Sequence, residues 1–285
     1  MRRHVWIDVP EGPLAASLDL PADAPRAAML IVSGGNELRA GAFAGQARLA
    51  AELAARGYAV LRFDAPGVGD SPGDNGGFAT RGPALAAARE WLRREIPDAP
   101  LLLFGNCDGA SLIALAGGGL GASHWLLANP WTIETESEPP PDAEEEPAPA
   151  SPSAAAIRAR YLARLARPDR LLADLFSGRI DLGKLVGGLR RLHAGDAPSA
   201  LADRLGEALA AAPCPVTLLV AARDGTALAF LAHWRSAAFA AARAHGDIAL
   251  ESIDSASHGF ADAAARRWLV ERLADALNAA AINSR

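Results

Sequence analysis

Cys107, Asp224 and His258 are far apart in the chain, yet they have the residue types of a nucleophilic acyl-transfer site. Cys107 stands in Gly105-Asn106-Cys107-Asp108-Gly109, after the apolar run 99–104 and before a helical pattern at 110–115. A Gly-x-Cys-x-Gly stretch between strand and helix matches a nucleophile elbow with sulfur in place of oxygen. The glycines have a physical reason: the elbow residue holds a strained backbone, and side chains at the flanking positions would strike the neighbouring strand and helix. Such a turn leaves the N–H of Asp108 facing the nucleophile as half of an oxyanion hole. The helix N-terminus beneath the sulfur favours thiolate. The Asp108 carboxylate opposes it, so a base is needed to activate Cys107. The plainer alternative is a buried structural thiol, because free cysteine is among the most buried residue types.

A nucleophile needs a base, and the base an orienting acid. His258 falls in Ser255-Ala256-Ser257-His258-Gly259-Phe260, between the last strand pattern and the last helix pattern. Asp224 follows the strand pattern 215–221. Asp254 is the rival acid, nearer to His258 in sequence, but it ends a strand where it can simply cap a loop. The chain order nucleophile, acid, histidine is that of the α/β-hydrolases. Ser33-Gly34-Gly35-Asn36, after the first central strand pattern, is placed to supply the rest of the oxyanion hole. Gly35 N–H is the first candidate there and Asn36 the second. His4, His124, His193, His233 and His245 fall on edges or charged helical faces and read as surface residues. Asp64, Asp70 and Asp74 lie in a turn and read as structural, as does Cys214 between two prolines.

These residues need a scaffold, and the pattern supplies one. Strand patterns at 27–32, 59–63, 99–104, 125–128, 215–221 and 248–253, several of them continuous apolar runs, alternate with helical stretches at 46–56, 80–96, 227–244 and 262–281. A hairpin at 5–20 precedes them. Continuous apolar runs fit strands buried on both faces, and alternation of strand with helix predicts a mostly parallel sheet covered by helices. Ligand sites on such sheets lie at the carboxyl ends of the strands, and every candidate residue above sits at such an end. The helical block 131–211 interrupts the alternation and reads as a cap inserted between core segments 1–130 and 212–285.

At 51% hydrophobic residues the chain has ample material for a core. The net charge of −5 misleads, because the Pro-rich stretch 134–152 holds seven acidic residues and no basic ones. With those set aside the rest carries +2, and no basic face points to nucleic acid. The stretch itself cannot bury a core and reads as a loop. Two cysteines offer neither metal spacing nor a disulfide framework, and they suit a reducing compartment. No run is long and apolar enough to span a membrane, and no signal-peptide core follows Arg2 and Arg3. The expectation is a cytoplasmic protein that needs no metal or organic cofactor.

Several blocks resemble those of the exosortase-A-associated α/β-hydrolases of the first type. They are Ser33-Gly34-Gly35-Asn36, the stretch Phe63 to Ser71, Gly105-Asn106-Cys107-Asp108-Gly109-Ala110, Asn129-Pro130-Trp131 and Ser177 to Leu182. The resemblance covers nearly the whole chain and implies an α/β-hydrolase fold with a helical cap. It also implies a cytoplasmic hydrolase whose gene accompanies bacterial exopolysaccharide and protein-sorting systems. The acidic stretch 134–152 departs from the pattern as an extra loop at the cap.

The chemistry expected is acyl hydrolysis through a Cys-His-Asp triad. Sulfur attacks esters, lactones and thioesters well, whereas attack on an amide tends to reverse because thiolate is the better leaving group. Two alternatives stand beside it: acyl transfer to a sugar or polymer hydroxyl, and a non-catalytic binding module on the same fold.

Overall fold

The computed structural model describes residues 1–133 and 200–284. The acidic stretch 134–152, His193, the 177–182 block and most of the expected cap lie outside the described residues. The described strands are β1 (Arg2–Ile7), β2 (Leu14–Asp19), β3 (Ala28–Val32), β4 (Ala59–Phe63), β5 (Leu101–Asn106), β6 (His124–Ala128), β7 (Val216–Ala221) and β8 (Ile248–Ile253). They form one sheet in the order β1-β2-β4-β3-β5-β6-β7-β8. The hairpin β1–β2 joins β4 antiparallel, and every pairing from β4 through β8 is parallel. This is the expected mostly parallel sheet. The parallel pairings put the carboxyl ends of β3, β5, β7 and β8 at one edge, although their turns are widely separated in sequence.

Side-chain alternation divides the core between the two faces. Leu30, Val32, Leu103, Leu218 and Val220 point to one face. There they meet α2 (Gly82–Glu95), α3 (Asp108–Ala116), α4 (Ala200–Ala210), α5 (Gly225–Trp234) and α6 (Ala240–Ala244). Met29, Ile31, Phe104, Leu219 and Ala221 point to the other face, onto α1 (Gly45–Ala55) and α7 (Ala263–Asn283). Covered on both sides, the central strands carry no polar side to alternate, which explains their unbroken apolar runs. Helix α4 buries Leu201, Leu205 and Leu209 against α3 and α6, within the same core as the sheet.

One expected helix is divided. The stretch 227–244 forms α5, a 3₁₀ turn at Ala237–Phe239 and the short α6, with Ser236 extended at the break. Phe230 and Phe239 explain it. In an unbroken helix they would stand about two and a half turns apart, on opposite sides. The break brings both rings into the core, edge to face at 5.8 Å, with Trp234 against each.

The turn after β4 is held by ions. Asp64 is fully buried, accepts the N–H groups of Arg39 and Asp70, and pairs with the Arg39 guanidinium, which also reaches Asp70 at 2.8 Å. Both acids serve the turn.

Candidate active site

The turn at Cys107 follows from the sterics that the glycines relieve. Cys107 has φ 61° and ψ −131°, a conformation rare for a residue with a side chain. A Cβ on Gly105 would stand 2.6 Å from the Gly109 carbonyl carbon and oxygen, and one on Gly109 would stand 2.5 Å from the Val32 carbonyl oxygen. Each glycine therefore allows the helix to leave the strand at this angle. The elbow is also tied to β6: Cys107 N–H donates to the Ala128 carbonyl at 3.0 Å, and Trp131 N–H donates to the Cys107 carbonyl at 3.2 Å. Ser111 Oγ adds a bond to the Trp131 carbonyl at 2.7 Å.

Asp224 and His258 meet at 3.0 Å, through Oδ2 and Nδ1. Asp224 is the N-cap of α5, where the same oxygen accepts the Ala227 N–H at 3.0 Å. Burial alone would raise its carboxyl, yet His258 and the N–H groups of Ala227 and Thr226 hold it below the usual carboxylate range. Burial would likewise lower His258. Hydrogen bonds with Asp224 and with Cys107, and the charge of both, outweigh that and raise the ring to about 10. His258 thus stands between the Asp224 carboxylate and the elbow sulfur. Asp254 is turned outward and pairs with Arg223 at 2.6 Å.

The loop that carries His258 is braced from below. Ser255 Oγ donates to Asp262 at 2.5 Å and accepts the Ser257 N–H at 3.0 Å. Asn129 is a further brace that the sequence analysis did not assign. It is fully buried, with φ 42°. Its amide donates to the His258 carbonyl at 2.9 Å and to Asn106 Oδ1 at 3.3 Å, while its oxygen accepts the Ala221 N–H at 2.9 Å. One side chain thus joins the ends of β5, β6 and β7 to the histidine loop. The sequence carried a signal, since asparagine tolerates a left-handed backbone and precedes a proline at a strand end.

The expected oxyanion donors are arranged differently. Gly35 N–H donates to Asp108 Oδ1 at 2.5 Å. Asp108's own N–H and that of Gly109 also point to this carboxylate. Burial pushes the Asp108 carboxyl up, against these donors and the positive charge of Arg81. Arg81 is itself buried, and its guanidinium donates to the Gly35 carbonyl at 2.7 Å and to Asn75 at 2.8 Å. Asn75 in turn donates to Asn36 Oδ1 at 2.6 Å. The Gly35 loop is therefore clamped from both sides, and a carboxylate sits on its N–H. Gly34 permits the approach, since a Cβ there would stand 2.6 Å from both Asp108 Oδ1 and the Asn106 carbonyl.

The remaining candidates lie apart. His4 contacts Ser17 at 3.0 Å and His124 contacts Thr217 at 2.9 Å. His124 begins β6, at the end of the sheet opposite Cys107. Burial pushes the Cys214 thiol up to about 11, which leaves it a poor nucleophile. Among the described residues no His, Cys, Asp and Glu groups could hold a metal ion, and no helix is long and apolar enough to cross a membrane.

The family model described as serine aminopeptidase, S33, matches residues 23–181. No curated protein matches the sequence. Solved structures do. An esterase from Pyrococcus furiosus aligns with TM-score 0.64 and 14% identity, over 98% of this chain and 90% of that one. A carboxyl esterase from Bacillus coagulans aligns with TM-score 0.62 and 15% identity, over 98% and 99%. The thioesterase domain of the curacin biosynthetic pathway gives 0.57 and 18%, over 97% and 99%. At these identities the likeness establishes the fold, an α/β-hydrolase fold, as the resemblance implied.

Proposed function

The chain belongs to the serine aminopeptidase S33 family, whose model it matches over more than half its length, and on that premise we propose that it is an acyl hydrolase working through Cys107, His258 and Asp224. The family is named for a serine, whereas this elbow carries sulfur. The observation that carries the reading is His258, which pairs with Asp224 at 3.0 Å and has the elbow Cys107 among the groups that raise its ring.

In this reading His258 takes the thiol proton of Cys107 as the sulfur attacks the carbonyl carbon of an ester or thioester, and the carbonyl π pair moves onto oxygen. Asp108 N–H and Gly35 N–H, with Asn36 beside them, hold that oxyanion once the Asp108 carboxylate has left the seat. Collapse expels the alkoxide or thiolate, which takes the His258 proton. An acyl-cysteine remains. His258, now neutral, takes a proton from water as the water attacks, and breakage of the C–S bond releases the acid and restores Cys107. Asp224 fixes the ring tautomer and balances its charge without itself becoming protonated. The esterase and thioesterase among the structural neighbours agree with this substrate class, and sulfur as nucleophile disfavours amides. The sequence blocks add the proposal that the enzyme acts in the cytoplasm of a bacterium with an exosortase and exopolysaccharide system.

Release of p-nitrophenol from p-nitrophenyl acetate tests the mechanism. A burst in the native protein that is absent from Cys107→Ala is expected, with a slower phase as water clears the acyl-cysteine. Equal rates in both proteins would remove Cys107 from the chemistry. The Asp108 carboxylate on Gly35 N–H gives the second reading, a non-catalytic binding module, its one specific support. That reading requires both proteins to be inert toward every ester while still binding one.

A further inference from the structure

Resting on that reading, we infer that a largely apolar cavity beside the elbow binds the acyl chain of the substrate, and that the chain is longer than acetyl. The cavity has a volume of about 220 Å³ and lies between the N-terminal ends of α1 and α7. Its buried floor is Leu49, Phe104, Phe260, Leu269 and Val270. Its walls belong to the three loops that form the site. Glu37 follows the Gly35-Asn36 loop, Asn106 precedes Cys107, and Gly259 follows His258. A chain attached to a carbonyl at Cys107 therefore has an apolar space next to it, bounded by the residues that flank the reacting groups.

Two further observations favour a ligand over a packing defect. The space opens to solvent past Ala42, Phe43 and Gly259, and a chain lying in it would give the apolar side chains of the floor the dispersion contacts they lack on that side. Phe43, on the cavity wall, is 92% exposed with φ 50°, and Ala44 beside it has φ 56°. Two consecutive left-handed residues with side chains are strained, and the strain holds an aromatic ring in water at the mouth of an apolar space. A bound chain would cover that ring. Of the polar groups of the wall, Glu37 is committed to Ala42 N–H and Gln46 Nε2, Arg266 reaches the Gly45 carbonyl and Glu52, and Arg48 is exposed at the rim.

The experiment is a series of p-nitrophenyl esters, acetyl, butyryl, hexanoyl and octanoyl, assayed with the native protein, Gly45→Phe and Phe43→Ala. Gly45 lines the cavity with an ordinary helical φ of −61°, and a Cβ there meets nothing within 4 Å, so a ring is accepted at the cavity wall without straining the backbone. In the native protein kcat/KM should rise by roughly threefold to fourfold for each methylene that enters the cavity, up to its length. Gly45→Phe should lower the hexanoyl-to-acetyl ratio of kcat/KM by tenfold or more, and Phe43→Ala should lower it by a smaller factor. A native profile that falls from acetyl onward, or a ratio unchanged by Gly45→Phe, overturns the inference. Either result, obtained with a burst that still depends on Cys107, leaves the catalytic reading standing. Turnover that persists in Cys107→Ala instead removes the reading on which the inference rests.

Discussion

The two halves of the site stand in different states of readiness. On one side Asp224 and His258 are hydrogen-bonded at 3.0 Å beside the Cys107 elbow, and each of the three is fixed from its own element. On the other, the N–H of Gly35 is held by the Asp108 carboxylate, while Arg81 and Asn75 lock the loop behind it. The half proposed to move protons is assembled, whereas the half proposed to hold the oxyanion is occupied by the protein's own Asp108 side chain. An oxyanion hole attracts negative oxygen, and a carboxylate one residue beyond the nucleophile is a negative oxygen within reach. The lesson is that the donors can be well placed and still be spoken for.

His258→Ala should break the assembled half. Removing the proton carrier is expected to slow acylation by roughly 10²- to 10⁴-fold, measured as the burst rate with p-nitrophenyl acetate. A loss below tenfold would show that the ring does not move the proton. The occupied half should respond in the opposite direction. Asp108→Ala empties the seat, and acylation should rise by roughly tenfold to a hundredfold, the range of a hydrogen bond to a charged group. A fall would show instead that the carboxyl takes part in catalysis or positions the loop.

Asn129→Ala sharpens the comparison by testing what holds the assembled half in place. It leaves the buried Ala221 N–H and the His258 carbonyl without their partner, at a cost of about 1–3 kcal/mol in denaturant unfolding. Unchanged stability would mean that neighbouring groups take over its bonds. The smallest effect is a titration. His258 is raised above its ordinary value, so its pairing stabilises the fold below pH about 6.5 and the contribution disappears as pH rises through about 10. Cys107→Ala removes one of the contacts that raise the ring. The His258 midpoint, followed by NMR, should move down. A midpoint that stays in place would mean that Asp224 alone sets it.

Much of this site was legible in the residues. The elbow announced itself because two glycines around a cysteine, between an apolar run and a helical pattern, satisfy a steric demand that is local in sequence. Asp224 and His258 could be named because strand ends and loops are local too, and chain order did the rest. The Asp108 carboxylate was read only through its effect on the thiol. Its position on Gly35 N–H joins groups seventy-three residues apart, and no local pattern encodes which way that side chain turns. Asn129 was noticed for its neighbours and not for its task. Its partners come from the ends of three other segments and have no spacing to read.

By itself the sequence determined the alternation of buried strands and helices, the strained elbow and which groups are candidates for the chemistry, because backbone preference and apolar periodicity act over a few residues. Only the tertiary structure decided that Asp224 and not Asp254 faces His258, that the stretch 227–244 breaks so that Phe230 and Phe239 can share one core, and that the donors of Gly35 and Asp108 are held by a carboxylate. Those outcomes depend on the parallel register that brings distant strand ends to one edge, and on the direction in which each side chain leaves it.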